Sequence, residues 1–302
     1  MDSLNSKIEK YLIVCRDAKG LSDLTIKAYT IDLRQFREYM CSRDYLSKEE
    51  ISQYIELLHK RYKPKSVKRK TACIKSFYRY MEIENIITEN PFHKIVIKYK
   101  MPTVLPKIIP LNYVEDILNY AYSMYNIKCG YQNEIALRNI VVLELLFSTG
   151  MRVSEISHLK VSNLDLRSKT IRIVGKGAKE RIICIANDNV IKVLGEYLTK
   201  YNNNGFKYVL KNRLSNLLSE QSIRNMIDTY AKAAGVPLHI TPHMFRHTFA
   251  TALLEEDVDI RYIQQLLGHS SIVTTQIYTY ISTAKIRSIL EKKHPRNKFV
   301  FD

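Results

Sequence analysis

A chain of 302 residues is long enough for two domains that each bury a core of their own. Its 46% hydrophobic and 25% charged residues are ordinary for a soluble globular protein, but 47 Lys and Arg against 30 Asp and Glu give a net charge of +17. Residues 1–100, with 21 basic and 13 acidic residues, carry +8 of this charge, which excludes a single cationic tail on a neutral enzyme. A polyanion contacted by both parts of the chain is the natural interpretation, and a merely lysine-rich proteome is the alternative.

Cysteine usage and hydropathy exclude further classes. The five cysteines are scattered and form no Cys-x-x-Cys pair, which predicts reduced thiols rather than a disulfide framework or a zinc site. The first residues lack the apolar core of a signal peptide. The longest apolar segment, 140–147, is interrupted by Glu144 and is too short to span a bilayer. We therefore expect a cytoplasmic protein with no membrane partner.

Residues 1–98 are predicted to form a domain of four helices, because apolar residues recur there at helical spacing. Ser22 and Ser47 are candidate N-caps of the second and third helices, and Ser66 is predicted to open the fourth. The predicted segments are 7–16, 22–39, 47–58 and 66–81.

A run of basic residues lies between the third and fourth helices. Seven of the eleven residues from 60 to 70 are Lys or Arg and none is acidic. Such runs are usually solvated faces, but this one spans a turn and a helix start in a basic chain, so we predict contact with the DNA backbone. The basic run consists of Lys60, Arg61, Lys63, Lys65, Lys68, Arg69 and Lys70.

Prolines between residues 91 and 110 indicate an extended connector, and a linker is predicted at 99–109, ahead of a second domain at 110–302. This domain is predicted to begin with helix 111–122, a polar loop over 123–133 and an apolar helix over 135–148. The later helices are predicted at 151–159, 187–201 and 222–235.

Residues 164–185 form the clearest β region. The segment 170–174 alternates between apolar and polar residues, Gly-Lys-Gly at 175–177 turns, and 181–185 returns, which predicts two or three antiparallel strands. The fold class is therefore mainly α, with a helical N-terminal domain and an α+β second domain that contains a small antiparallel sheet.

The densest group of chemically capable side chains falls between Thr241 and Ser282. Thr241 is a candidate N-cap with Pro242 at the first helical position, and Gly268 is predicted to end a later helix. Together with Arg152 and Lys176 from earlier in the domain, the candidate residues of this stretch are His243, Arg246, His269 and Tyr278.

These six residue types suit chemistry on a phosphodiester. Arginines offer forked donors to the non-bridging oxygens, and histidines donate hydrogen bonds or move a proton. A lysine on a hairpin can reach the leaving oxygen, and a tyrosine hydroxyl can attack phosphorus and store the bond as a phosphotyrosine. No metal or other cofactor is expected, because side chains supply the cations and the clustered carboxylates of a two-metal nuclease are missing from the sequence.

Each candidate also has an ordinary structural explanation. Gly-Lys-Gly can be only a hairpin turn, Arg152 can be only the ion-pair partner of Glu155, and Tyr278 is one of 21 tyrosines. His243 and His247 are spaced as a metal pair, but an intervening arginine would repel a cation.

Five segments resemble, in order and spacing, the signature blocks of tyrosine recombinases, and the resemblance is strongest to the compact Xer and phage-integrase group. The segments are Thr149-Gly-Met-Arg-Val-Ser-Glu-Ile156, the hairpin 175–181, Thr241-Pro-His-Met-Phe-Arg-His-Thr-Phe-Ala-Thr251, Leu267-Gly-His269 and Thr274-Thr-Gln-Ile-Tyr278. The N-terminal helices resemble more loosely the four-helix, SAM-like domain with which this family clamps DNA.

The resemblance implies a role for each candidate. Tyr278 is the nucleophile that forms a 3′-phosphotyrosyl link, Arg152 and Arg246 bind the scissile phosphate, and Lys176 protonates the leaving 5′-oxygen. His243 and His269 assist by hydrogen bonding and proton transfer.

Two neighbouring residues complete this assignment. Glu155 holds the Arg152 region in place. Tyr280 is the rival nucleophile, but it would point about 200° away from Tyr278 on a helix.

The implied function is site-specific recombination of double-stranded DNA, by integration, excision or dimer resolution, at a specific recombination site. The implied assembly is a tetramer on DNA held through the C-terminal helix 286–293, with a second recombinase or accessory protein as a further candidate partner; packing of this helix on its own domain is the alternative. A type IB topoisomerase and a non-catalytic DNA-binding regulator are the competing functions.

Overall fold

The computed structural model describes residues 3–97, 106–127, 130–174, 180–185, 187–202 and 205–268. The chain divides into two compact units, Met1–Thr103 and Val104–Asp302, each with a hydrophobic core of its own. Within the described ranges, every helix is too short or too polar to cross a membrane.

The first unit contains the four predicted helices packed around one core. They are α1 Leu4–Asp17, α2 Asp23–Tyr39, α3 Lys48–Arg61 and α4 Pro64–Ile83. The hydroxyl oxygens of Ser22 and Ser47 accept from backbone N–H groups of the first turns of α2 and α3, so both predicted caps are confirmed. The predicted start at Ser66 was two residues late, because Pro64 occupies the first helical position, where a missing N–H costs no hydrogen bond.

A buried carboxylate joins α2 to α4. Asp32 is 1% exposed, and Lys70 Nζ donates to its Oδ1 at 2.8 Å while Arg69 donates to both of its oxygens. Lys70 also donates to Gln35 Oε1 at 2.6 Å and lies 4.7 Å from the centre of the Tyr62 ring. Desolvation of Asp32 is thus offset by two cations, which come from the end of the basic run.

The second unit contains seven further α-helices in its described part. They are α5 Leu111–Ile127, α6 Tyr131–Thr149, α7 Val153–Ser157, α8 Asp188–Tyr201, α9 Glu220–Ala233, α10 Pro242–Glu255 and α11 Ile260–Leu267. Helix α6 packs against α5, α8 and α10, and its residues are buried on nearly every side, as its continuous apolar sequence requires.

The predicted antiparallel sheet is confirmed with three strands in the order β1-β2-β3. They are β1 Leu164–Asp165, β2 Thr170–Val174 and β3 Glu180–Cys184. The register pairs Ile171 with Ile183 and Ile173 with Arg181. Because side chains alternate across a strand, Arg172 is on the exposed face while its two isoleucine neighbours are buried.

The loop predicted over 123–133 was wrong. Helix α5 continues to Ile127, and α6 begins at Tyr131. The Tyr125 hydroxyl donates to Glu196 Oε1 on α8 at 2.5 Å and accepts from Lys200 Nζ at 3.2 Å. Contacts with α8 therefore stabilise the additional turn of α5. Local composition does not reveal such contacts.

The segment that enters the second unit is fixed to α10. Ile109 is 1% exposed, and its backbone N–H donates to Thr248 Oγ1 at 2.7 Å. Residues 98–105, which include most of the predicted linker, lie outside the described ranges, so the division into 1–98, 99–109 and 110–302 stays a prediction.

We predict that Asp32→Asn destabilises the first unit by about 3 kcal/mol, because loss of the carboxylate leaves Lys70 buried without its charge partner. Urea unfolding measures this change, and Glu56→Gln, which removes an exposed carboxylate from α3, is the control. Equal denaturation midpoints for the two variants would show that the ion cluster does not stabilise the fold.

Candidate active site

Helix α10 carries a buried guanidinium. Arg246 is 4% exposed, and its Nη1 donates to the carbonyl oxygen of Gly150 at 2.7 Å while its Nη2 donates to that of Leu267 at 2.5 Å. These carbonyls lie at the C-terminal ends of α6 and α11, where the helix dipole places partial negative charge. The guanidinium is therefore stabilised between two helix ends.

Both helix ends turn through a glycine in the left-handed conformation. Gly150 has φ +60° and Gly268 has φ +63°, as predicted for a residue that ends a helix. A Cβ at Gly150 would lie 2.6 Å from Phe249 Cδ1, and one at Gly268 would lie 2.9 Å from Arg181 Cδ. The two turns are thus close enough to their neighbours to fix the carbonyls that Arg246 binds.

Arg152 lies next to this junction, at the N-cap of α7. Its backbone N–H donates to Glu155 Oε2 and its Nη1 to Glu155 Oε1, both at 2.8 Å. Its Nη2 lies 3.5 Å from the carbonyl oxygen of Gly268. The ion pair with Glu155 is therefore present, and it holds a partly exposed guanidinium beside the end of α11.

Glu155 binds a second guanidinium, that of Arg181 on β3. Arg181 Nη1 lies 3.0 Å from Oε1 and Nη2 lies 2.8 Å from Oε2. Burial by itself would raise the pKa of Glu155, but hydrogen bonds from Arg181 and from the Arg152 backbone bring this pKa below its usual value. Arg181 was missing from the predicted site residues, although it closes the hairpin segment that carries the family resemblance.

His243 is in the first turn of α10, with more than a third of its surface exposed and the rest covered. Partial burial and the guanidinium groups of Arg246, Arg224 and Arg152 lower its pKa, so its imidazole is neutral at pH 7. The expected N-cap Thr241 has extended backbone but makes no side-chain capping bond, so Pro242 alone marks the helix start.

The structure brings Arg152, Glu155 and Arg246 together at the ends of α6 and α11. Gly268 is the last described residue before His269. Of the other predicted site residues, Lys176, His269 and Tyr278 lie outside the described ranges, as do Tyr280 and the predicted C-terminal helix 286–293. Among the described residues, no group of three His, Cys, Asp or Glu side chains is placed to hold a metal ion.

The basic run of the first unit divides into two groups. Arg69 and Lys70 bind the buried Asp32. The other five residues have exposed side chains: Lys60, Arg61, Lys63, Lys65 and Lys68. These five are the exposed members that do not pair with Asp32, whereas Arg69 pairs with it although 45% of its side chain is exposed. Contact of the run with DNA stays a prediction.

Two family models match the chain. The phage integrase family matches residues 109–285, and the phage integrase N-terminal SAM-like domain matches residues 8–85. A tyrosine recombinase from Agathobacter rectalis is 48% identical and covers all of both chains. The tyrosine recombinase XerC from Myxococcus xanthus is 34% identical over 98% of this chain and 100% of its own.

Solved structures share the fold. The XerH site-specific recombinase bound to its palindromic difH substrate has a TM-score of 0.72 at 21% identity, over 96% of this chain and 85% of its own. The lambda integrase tetramer bound to a Holliday junction has a TM-score of 0.70 at 19% identity, over 92% of this chain and 77% of its own. The chain therefore belongs to the phage integrase family of tyrosine recombinases, which are enzymes that break and rejoin DNA.

We predict that acidification destabilises the second unit partly through His247. Burial, His243 and Arg246 lower the pKa of this half-buried histidine to about 4, whereas an unfolded histidine titrates near ~6.5. The unfolded chain then binds the proton first, so stability falls as the pH is lowered from about 6.5 to about 4, by roughly 1–2 kcal/mol at pH 5.

Thermal unfolding of the wild type and of His247→Gln, followed between pH 4.5 and 7.5, measures this contribution. The variant should show the shallower pH dependence, since glutamine has no proton to bind. Parallel curves would mean that His247 titrates normally in the folded chain.

Proposed function

We propose that this chain is a site-specific recombinase that cuts and rejoins double-stranded DNA at a specific recombination site through a 3′-phosphotyrosyl intermediate. The observation that supports it best is the meeting of Arg246, Arg152 and Glu155 at the C-terminal turn of α11. Two guanidinium groups are thereby fixed close to the segment that leads into His269 and Tyr278.

The arginines would bind the scissile phosphate. Arg152 and Arg246 donate hydrogen bonds to its non-bridging oxygens and stabilise the negative charge of the pentavalent transition state. Because helix ends and Glu155 already orient both groups, little reorganisation is needed when DNA binds. Such preorganised donors each contribute roughly 10²–10³ in rate.

Tyr278 would carry the bond exchange. Its hydroxyl oxygen attacks phosphorus, the bond from phosphorus to the 5′-oxygen breaks, and the strand end is held as a 3′-phosphotyrosine. A neutral His243, with His269, would hydrogen-bond the phosphate and accept the tyrosine proton, while Lys176 donates a proton to the leaving 5′-oxygen. Attack by a 5′-hydroxyl reverses the sequence, so the energy of the broken bond is kept and no ATP is consumed.

DNA would contact both units. The five exposed residues of the basic run would bind backbone phosphates, which suits a chain of charge +17. We further propose that the chain acts in the cytoplasm as a tetramer on DNA, held through the predicted helix 286–293, and that a second recombinase or an accessory protein is a candidate partner. The lambda integrase tetramer on a Holliday junction supports this assembly at the level of the shared fold.

We predict that Tyr278→Phe abolishes the covalent protein–DNA adduct and leaves DNA affinity within about twofold, because only the attacking oxygen is lost. The substrate is a nicked suicide duplex, selected from a randomised library for adduct formation by the wild type, and denaturing electrophoresis detects the adduct.

Tyr280→Phe is the matched control and should keep the adduct. An adduct from Tyr278→Phe but not from Tyr280→Phe would move the nucleophile to Tyr280. Relaxation of supercoiled plasmid by a monomer, without strand exchange between two sites, would favour a topoisomerase instead.

We predict that Lys65→Gln combined with Lys68→Gln weakens binding to every DNA sequence to a similar degree and lowers the slope of log K against log salt by about 1–2. The control pair, Lys19→Gln with Lys48→Gln, removes the same charge from exposed positions outside the basic run. Equal salt slopes for the two pairs would show that the run does not contact the backbone.

A further inference from the structure

We propose that Arg181 is a positioning residue for recombination: it fixes Glu155, and through it Arg152, and it also holds the end of α11. The proposal deepens the recombinase function inferred above and rests on it. Arg181 would act on the reaction without touching DNA, in contrast to Arg152 and Arg246.

The contacts of Arg181 point inward. The side chain is 13% exposed, and its three nitrogens all donate to the protein: Nη1 and Nη2 to Glu155, and Nε to the carbonyl oxygen of Leu266 at 3.3 Å. Two of these bonds go to a carboxylate, which leaves Arg181 less positive charge for a phosphate than Arg246 has beside its neutral carbonyls. The position of Arg181 on β3 instead fastens the sheet to α7 and α11.

The carboxylate of Glu155 accepts its full set of four hydrogen bonds only when Arg181 is present. Its Oε1 accepts from Arg152 Nη1 at 2.8 Å and from Arg181 Nη1 at 3.0 Å, and its Oε2 accepts from the Arg152 backbone and from Arg181 Nη2, both at 2.8 Å. A carboxylate held at four positions cannot rotate, so it fixes the direction of the Arg152 guanidinium. Without Arg181, half of these bonds are lost and Arg152 gains freedom to turn away.

The same side chain supports the turn after α11. Arg181 Cδ, Nη1 and Nε lie within about 3 Å of where a Cβ at Gly268 would be, at 2.9, 3.0 and 3.1 Å. Gly268 has φ +63°, and its carbonyl oxygen is the one near Arg152 Nη2. Arg181 therefore positions both Arg152, through Glu155, and the turn at Gly268 that precedes His269.

A structural ion pair and a positioning role differ in their pH behaviour. In Arg181→Gln, Glu155 stays largely buried with a single guanidinium partner, so its pKa should rise and acid should protonate it. The charged and titratable groups that face it are Arg152, Arg181 and, around a neighbouring cavity of about 370 Å³, His158, Lys160 and Arg172. A new acid limb in the rate that disappears when Glu155 is also replaced therefore reports the titration of Glu155.

The test measures single-turnover adduct formation on the selected suicide duplex at saturating DNA, from pH 5 to 8, with DNA affinity measured separately. Arg181→Gln should react roughly tenfold to hundredfold more slowly at pH 7.5, with affinity within about twofold, because a misdirected Arg152 weakens the transition state more than the bound substrate. Its rate should fall further towards the acid end of this pH range, where the wild-type rate falls less.

Three further variants separate positioning from folding. Arg181→Lys keeps the charge and should recover part of the rate. Glu155→Gln with Arg181→Gln should lack the additional acid limb, since no carboxyl remains to titrate. Arg167→Gln, at an exposed position between β1 and β2, should react at the wild-type rate, and it controls for loss of charge beside the sheet.

Wild-type rates and an unchanged pH profile in Arg181→Gln at saturating DNA would overturn the proposal, as would an equal loss in Arg167→Gln. If Arg181→Gln does not fold, Arg181→Lys at the wild-type rate and pH profile would overturn it equally. Failure of the wild type to form an adduct with any duplex would refute the recombinase function itself. This outcome differs from one in which the wild type reacts and only the Arg181 proposal fails.

Discussion

The second unit depends on the burial of one guanidinium between two helix ends. Arg246 donates to the carbonyl oxygens of Gly150 and Leu267, and an isolated charge in that position would cost far more than a folded domain can offset. The C-terminal dipoles of α6 and α11 supply the compensating negative potential. Helices α6, α10 and α11 must therefore dock together before this charge is stable, which couples folding of the unit to assembly of the site.

The same requirement explains how several cations gather at one place. Arg152, Arg181 and Arg246 would repel one another, but Glu155 lies between the first two and helix carbonyls hold the third. His243 stays neutral at pH 7 because partial desolvation, and then the neighbouring guanidinium groups, lower its pKa. Fixed dipoles and one shared carboxylate thus hold the arginines in place, which is the preorganisation that the proposed phosphate site requires.

In the first unit, some basic residues pair with a buried carboxylate and others do not. Asp32 draws Lys70 into the interior and pairs with Arg69, whose side chain stays 45% exposed, and the other members of the basic run are exposed without this pairing. A count of charges in the sequence does not separate these two groups, because the separation depends on which side of α4 meets α2. The internal pairs also position the run, since they fix the start of the helix that carries it.

The sequence alone determined the helix content, the small antiparallel sheet, the glycine that ends α11 and the family, because these follow from local periodicity, turn residues and ordered motifs. It also identified Arg152 and Arg246 as candidates, because both lie in segments that resemble the signature blocks of the family. Predictions from local composition failed where contacts between distant parts of the chain determine the structure. Tyr125 extends α5 by bonding to α8, and Lys70 turns inward to a carboxylate on another helix. Arg181 emerged only from the tertiary structure, because its partners Glu155 and Leu266 lie 26 and 85 residues away in the chain.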